Sequence, residues 1–272
     1  MIPNVLSIAG SDPSGGAGIQ ADLKAISANG AFAMAAITAL TAQNTQGVSG
    51  VHLVPPAFVR DQINAVFDDI RVDAVKVGMI ANADIAQAVV DALADRDAPI
   101  ILDPVMIAKG GASLLDPDAI AVVRDALLPI ATILTPNLPE AAQLLGMPVA
   151  QARDEMADQG RKLCALGADA VLMKGGHLPD ADSPDCLVTP SNITWFEGAR
   201  TLTRNTHGTG CTLSSALAAQ LAKTGDVHAA VAAAKSYVSH AIAHADQLAV
   251  GSGHGPTHHF AELYRASKEP LS

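Results

Sequence analysis

NVLSIAGSDPSGGAGIQADLKAISA, residues Asn4 to Ala28, is the stretch on which the fold turns. Asn4 to Gly10 is a short, nearly continuous apolar run, the pattern of a buried strand. A turn of glycine, serine, aspartate and proline follows, and Gly18 to Ala28 then has helical spacing. The same alternation continues. Strands are expected at Ala33–Leu40, Asp73–Met79, Pro99–Val105, Thr132–Pro136 and Ala170–Gly176. Helices are expected at Pro55–Asp69, Ala83–Ala94, Pro117–Leu128, Pro139–Leu145 and Met156–Leu166. Strands that alternate with helices imply parallel βαβ units in a sheet covered on both faces. From Cys186 to Thr203 the pattern changes: CLVT, ITWFEG and RTLTR read as short antiparallel strands at the sheet edge. Two long helices follow, Gly210–Ala222 and Val227–Leu248, and Gly251–His259 reads as a loop.

Composition narrows the function classes. The 272 residues suffice for one large α/β domain spanning 1–272, without repeat, linker or boundary. The net charge of −10, with no Lys/Arg run, argues against a nucleic-acid partner. Cys164, Cys186 and Cys211 lie far apart with no C-x-x-C pair, so reduced thiols in a cytoplasmic protein are expected. The N-terminus carries no signal-peptide pattern, and no apolar stretch is long enough to span a bilayer. In open α/β sheets the ligand lies at the carboxyl ends of the strands. The polar residues that follow each strand are therefore the candidates for chemistry.

Gly16-Ala17-Gly18 with Ala21 imitates a dinucleotide fingerprint, but the end of the second strand, ITALTAQN, lacks the ribose-binding carboxylate. A Walker A sequence is absent too. NTHGTGC, Asn205 to Cys211, offers another anion cradle: Gly208, Thr209 and Gly210 expose backbone N–H groups at a helix start. Cys211 follows directly. A helix N-terminus acidifies a thiol, although a lone cysteine also serves as a small apolar packing residue. Asp103 and Glu140 are strand-end carboxylates suited to Mg²⁺ through water, with Asn137 as a possible third ligand. Lys174, at another strand end, is placed to meet a phosphate tail. A helix N-terminus, two carboxylates and a lysine on one edge favour metal-assisted phosphoryl transfer.

These blocks carry a resemblance that runs along essentially the whole chain. IAGSDPSGGAGIQADLKA, TALTAQNTQGV, KVGM, LDPVM, LTPNLPEA, LMKGGH, NTHGTGCTLSSAL and GHGPTHHF resemble the hydroxymethylpyrimidine/phosphomethylpyrimidine kinases of thiamin biosynthesis, within the ribokinase-like superfamily. The resemblance implies a three-layer fold with a mostly parallel sheet, helices on both faces and antiparallel edge strands. It implies ATP as co-substrate, Mg²⁺, and two successive phosphorylations of 4-amino-5-hydroxymethyl-2-methylpyrimidine. Its pyrimidine pocket maps onto Gly10, Asp22, Gln43, Met79 and Val105, and the Gln43 amide pairs donor and acceptor with an aminopyrimidine edge. Asp22 also reads as a first-turn acid favoured by the helix dipole. A homodimer is implied by the family alone. Sugar kinases of the superfamily carry aspartate as catalytic base where this chain has Cys211, which implies Cys211 as base for the hydroxymethyl group.

Other residues have weaker assignments. Lys235 reaches nucleotide phosphate or is a solvated helix lysine. Lys109, with Gly110 and Gly111, forms a flap over the phosphates or a plain loop. His240 and His244 have metal-ligand spacing but no third ligand, so a partner-facing helix surface is expected. His258 and His259 have no metal partner, and Cys164 and Cys186 read as structural. Soon after GPTHHF the sequence ends, so no fused thiamin-phosphate synthase domain is expected. Pyridoxal kinase is the nearest rival activity, since vitamin B6 also presents a flat heteroaromatic ring with a CH₂OH arm. A non-catalytic ligand sensor on the same fold is disfavoured by the retained Asp103, Glu140, Lys174 and Cys211.

Overall fold

A computed structural model describes residues 1–106, 117–179 and 182–266. Its strands are β1 (Asn4–Ala9), β2 (Phe32–Ile37), β3 (Ala39–Asn44), β4 (Gly47–Leu53), β5 (Ala74–Val77), β6 (Ile100–Leu102), β7 (Ile133–Leu134), β8 (Ala170–Lys174), β9 (Asp185–Val188) and β10 (Ile193–Phe196). Its helices are α1 (Gly18–Ala28), α2 (Pro56–Asp69), α3 (Ala83–Leu93), α4 (Pro117–Val122), α5 (Leu138–Leu145), α6 (Arg153–Ala165), α7 (Thr209–Thr224), α8 (Val227–Ala243) and α9 (Ala261–Ala266).

Eight strands form one sheet in the order β10-β9-β8-β7-β6-β5-β1-β2. The pairs from β2 to β8 are parallel, and β9 and β10 complete the edge antiparallel. Period-two alternation splits the apolar residues of each strand between two cores. Leu6, Ile8, Val75, Val77, Ile100 and Leu102 face one core, closed by α2 to α6. Val5, Ala74, Ile101 and Ile133 face the other, closed by α1, α7 and α8. This is the expected three-layer, ribokinase-like arrangement.

Local chemistry fixes the helix starts. Asn82 caps α3 by accepting from the Ile85 N–H at 2.9 Å. Asn137 and Glu140 form a reciprocal capping box on α5, at 2.8 and 2.7 Å. Asp226 caps α8 through the Ala229 N–H at 3.0 Å. No helix among the described residues is long and apolar enough to cross a membrane.

Four expectations need correction. The run Ala33–Leu40 is not one strand. It breaks at buried Thr38, whose N–H donates to the Ala9 carbonyl and whose hydroxyl donates to the Met79 carbonyl. The chain then leaves the sheet and forms a hairpin, β3 with β4. The helix expected over Pro117–Leu128 is regular only to Val122, then winds as a π-turn and a 3₁₀ turn to Ile130. Pro129 lacks the N–H that a regular ladder needs there. RTLTR is not a strand. Arg200 donates to the carbonyls of Gly176, Leu178 and Asp182, and Thr203 and Asn205 donate to Asp246, so side chains hold this segment instead of a ladder. Finally, α8 stops at Ala243, and a 3₁₀ turn (Ala245–Gln247) follows.

Candidate active site

The carboxyl ends of β1, β5, β6 and β8 open into one cavity of about 1730 Å³. The segment after β1, the β3–β4 hairpin and the start of α7 complete its wall. The cavity brings together Gly10, Gln43, Met79, Val105, Asp103, Glu140, Asn137, Lys174, Lys235, Gly208, Thr209, Gly210 and Cys211. Lys109, Gly110 and Gly111 lie outside the described residues.

The turn before α7 is built around Gly208, its N-cap, at φ 75°. Any side chain there would overlap the Gly16 carbonyl, so only glycine permits the left-handed turn and the close approach together. Thr209 donates its hydroxyl to the Thr206 carbonyl at 2.8 Å, which locks the turn. Gly210 and Cys211 follow, and first-turn N–H groups have no acceptor within their own helix. Both residues line the cavity, so the expected anion cradle is present as geometry.

Lys174 stands between the two carboxylates. Its ammonium lies 2.9 Å from Asp103 and 3.6 Å from Glu140. Asp103 also accepts from Ser214 at 3.2 Å and Thr135 at 3.3 Å. Burial pushes Asp103 upward, but Lys174 and Lys76 outweigh it and hold the carboxyl below the usual range. Glu140 shows the opposite balance. Burial, reinforced by the Asp103 charge, pushes it up to about 7 against Lys174 and the Asn137 N–H. Among the described residues no group of three His, Cys, Asp or Glu side chains could hold a metal alone. Two hard carboxylate oxygen donors on one cavity wall fit a Mg²⁺ that completes its shell with water and phosphate.

Two site expectations change. Asp22 does not line the cavity: it is fully buried and ion-paired to Lys76 at 2.9 Å. Cys211 is not acidified. Burial pushes its thiol up to about 11, with Asp22 and Asp103 adding to the rise, while Lys76 and the Gly18 N–H oppose it. The helix terminus that was expected to favour a thiolate is outweighed by desolvation.

Three contributors escaped the sequence reading. Lys76 lies in β5 beneath the cavity floor with no exposed side-chain surface; its signal was a charge inside the apolar strand AVKV. Asp12 and His207 form a pair at 2.8 Å, and the Gln43 amide nitrogen lies 3.5 Å from the same ring nitrogen. Asp12 further accepts from the Ser14 and Ala17 N–H groups, so it organises the turn after β1. Lys235 is held by Asp185 at 2.7 Å and the Ser183 carbonyl at 3.0 Å. His240 and His244 meet with their rings tilted by 39° and 4.1 Å between centroids, with no metal cluster among the described residues. His259 contacts Thr212 of α7 at 3.0 Å, and Tyr237 of α8 donates to its carbonyl, so the C-terminal block straps the two site helices.

The profile of the phosphomethylpyrimidine kinase family matches residues 12–258. The chain belongs to that family. It is 53% identical over 258 residues to the hydroxymethylpyrimidine/phosphomethylpyrimidine kinase of Escherichia coli K12, across 94% of this chain and 97% of that one. Its structure is similar to that of phosphomethylpyrimidine kinase from Clostridium difficile 630, with a TM-score of 0.79 and 41% identity over 88% of this chain and 99% of that chain. It is also similar to the ADP complex of Bacillus subtilis pyridoxal kinase, with a TM-score of 0.88 and 34% identity over 97% of this chain and 100% of that chain. The family match spans both the Asp12 turn after β1 and the Lys174 and Cys211 end of the cavity.

Proposed function

We propose that this kinase phosphorylates 4-amino-5-hydroxymethyl-2-methylpyrimidine and then its monophosphate, giving the diphosphate used in thiamin biosynthesis. The observation that carries the reading is the single cavity that joins the Gln43 end to the glycine turn, Cys211 and Lys174. Gly10, Gln43, Met79 and Val105 hold the ring, with donor and acceptor atoms of the Gln43 amide against the aminopyrimidine edge. Lys174 and Lys235 hold ATP phosphates, and the first-turn N–H groups of α7 receive the transferring phosphoryl group. Asp103 and Glu140 hold Mg²⁺, which supplies charge neutralisation on the phosphates when bound. Size is compatible with two successive acceptors at one site.

In the first step the hydroxymethyl oxygen forms a bond to the γ-phosphorus as the bond to the β–γ bridging oxygen breaks, releasing ADP. The alcohol proton passes to Cys211 Sγ. Because the resting thiol is held up near 11, only its ionised fraction accepts that proton, and the first step accelerates as pH rises above neutrality. In the second step the acceptor is a phosphate oxygen that is already ionised and needs no base. Cys211→Ala therefore lowers kcat of the first step by about 100-fold or more and spares the second. ADP released per pyrimidine consumed tests the whole reading: two ADP support it, and one stops the chain at the monophosphate. Equal loss of both steps in Cys211→Ala removes the base and leaves a packing role.

The likeness to pyridoxal kinase favours one second reading, phosphorylation of vitamin B6 alcohols. Turnover of pyridoxal without turnover of the pyrimidine would establish it. We further propose a cytoplasmic homodimer. Leu40, Val51 and Leu53 on the β3–β4 hairpin are exposed apolar residues suited to a second copy, and solution mass measurement tests this.

A further inference from the structure

The Lys76–Asp22 pair lies beneath the site without a role in it so far. Neither side chain has exposed surface, and Lys76 Nζ lies 2.9 Å from both Asp22 oxygens. Asp22 Oδ2 also accepts from Ser7 at 2.6 Å, and Oδ1 from Ser215 at 2.8 Å. The position of the pair follows from helix spacing. Ser215 lies one turn after Cys211 on α7, and Asp22 lies one turn after Gly18 on α1. Ser215 therefore meets Asp22 one turn deeper in the molecule than Cys211. Lys76 reaches this level from β5 below. A Cβ on Gly78 would come within 2.5 Å of its ammonium, so the Lys-Val-Gly order keeps the path open.

We propose that Lys76 is a positioning residue for the acceptor end of the site: clamped by Asp22, it fixes a positive charge one helical turn beneath the Cys211 sulfur. The charge is dry and cannot be screened by solvent ions, so it acts on the sulfur far more strongly than a surface lysine would. Among the described residues four charged groups bear on Cys211: Lys76 from β5, Asp22 from α1, Asp103 from the end of β6 and Lys174 from β8. Burial disfavours the Lys76 ammonium. Asp22, with Cys211 and Asp103, overturns that and keeps it a cation. Among these charges Lys76 acts most strongly against the rise of the Cys211 thiol. The inference uses the proposed proton acceptor only for its effect on rate, since the charge itself is read without turnover.

The test is alkylation of the nucleotide-free protein by iodoacetamide across the pH range that ionises a thiol, scored at the Cys211 peptide by mass spectrometry. Lys76→Met moves the ionisation midpoint up by about one unit, which slows alkylation about tenfold at fixed pH. Asp22→Asn moves it down, because Lys76, still held protonated by Asp103 and by the thiolate as it forms, then acts without its compensating carboxylate. Loosened packing would expose the sulfur and speed alkylation in both variants, so opposite signs separate the electrostatic role from a structural one. The doubly neutral Lys76→Met/Asp22→Asn removes both charges of the pair, and its midpoint falls above that of Asp22→Asn. That comparison decides the matter where Lys76→Met alone does not fold. Shifts of equal sign in the two single variants, or a double variant with its midpoint at or below that of Asp22→Asn, overturn the proposal. Equal loss of both phosphorylations in Cys211→Ala would remove the base but leave this result standing.

Discussion

Two lysine–carboxylate pairs hang from lysines of the same sheet, in β5 and β8, at the same 2.9 Å separation, and they differ in access. Lys76 and Asp22 are sealed at 0% exposure, and both Asp22 oxygens are occupied by the ammonium and two serine hydroxyls. Lys174 is 15% exposed and shares itself between Asp103 and Glu140 at the cavity wall. A sealed pair cannot change partners, so it contributes a fixed field. An open pair can trade a carboxylate for a phosphate or a metal, so it contributes chemistry. Distance does not distinguish these roles; access does.

Breaking the sealed pair should give the largest effect, and it should fall on stability. Lys76→Met leaves Asp22 buried without its cation, which costs about 3–5 kcal/mol, measured by urea unfolding. Breaking the open pair reverses the pattern. Lys174→Ala lowers kcat of both phosphorylations by about 100- to 1000-fold, the usual loss for one charge-stabilising donor, and costs less stability than Lys76→Met because Asp103 lines the cavity and keeps Thr135 and Ser214. A large stability loss in Lys174→Ala with little loss of kcat would dissolve the distinction.

The smallest effect sharpens it further. Glu140 is held up to about 7 by burial and by Asp103, so a proton occupies it below that pH and competes with a divalent cation. The Mg²⁺ concentration for half-maximal rate should fall about tenfold between pH 6 and pH 8 as the carboxyl ionises. Glu140→Gln should flatten that dependence, and a pH-independent Mg²⁺ requirement in the parent chain would exclude Glu140 from the metal.

How much of this was legible without coordinates follows from the same contrast. Open features announce themselves in sequence, because a strand end followed by Asp103, Glu140, Lys174 or the HGTGC turn breaks the apolar pattern where ligands bind. Sealed features do not. Lys76 sits inside an apolar strand, its partner Asp22 lies far away on α1, and the join is made by Ser215 near the other end of the chain. Asp22 was consequently read as a substrate contact and Cys211 as acidified, since burial and the sum of four charges are properties of the assembled site. The β3–β4 hairpin was missed for a related reason. Thr38 ends β2 through bonds to Ala9 and Met79, neither adjacent in sequence, and the apolar run gives no sign of a break. The layer order, by contrast, followed from alternation alone.

The serine that meets Asp22 has a consequence for the making of the protein. During synthesis β1, α1 and β5 leave the ribosome early, carrying both charges, while Ser215 emerges much later within α7. Until then the Asp22 carboxylate lacks one of its partners and the cover that dries the pair. The ion pair therefore cannot be dried until α7 has emerged. Its closing makes the arrival of α7, rather than completion of the sheet, the event that locks the N-terminal half in place.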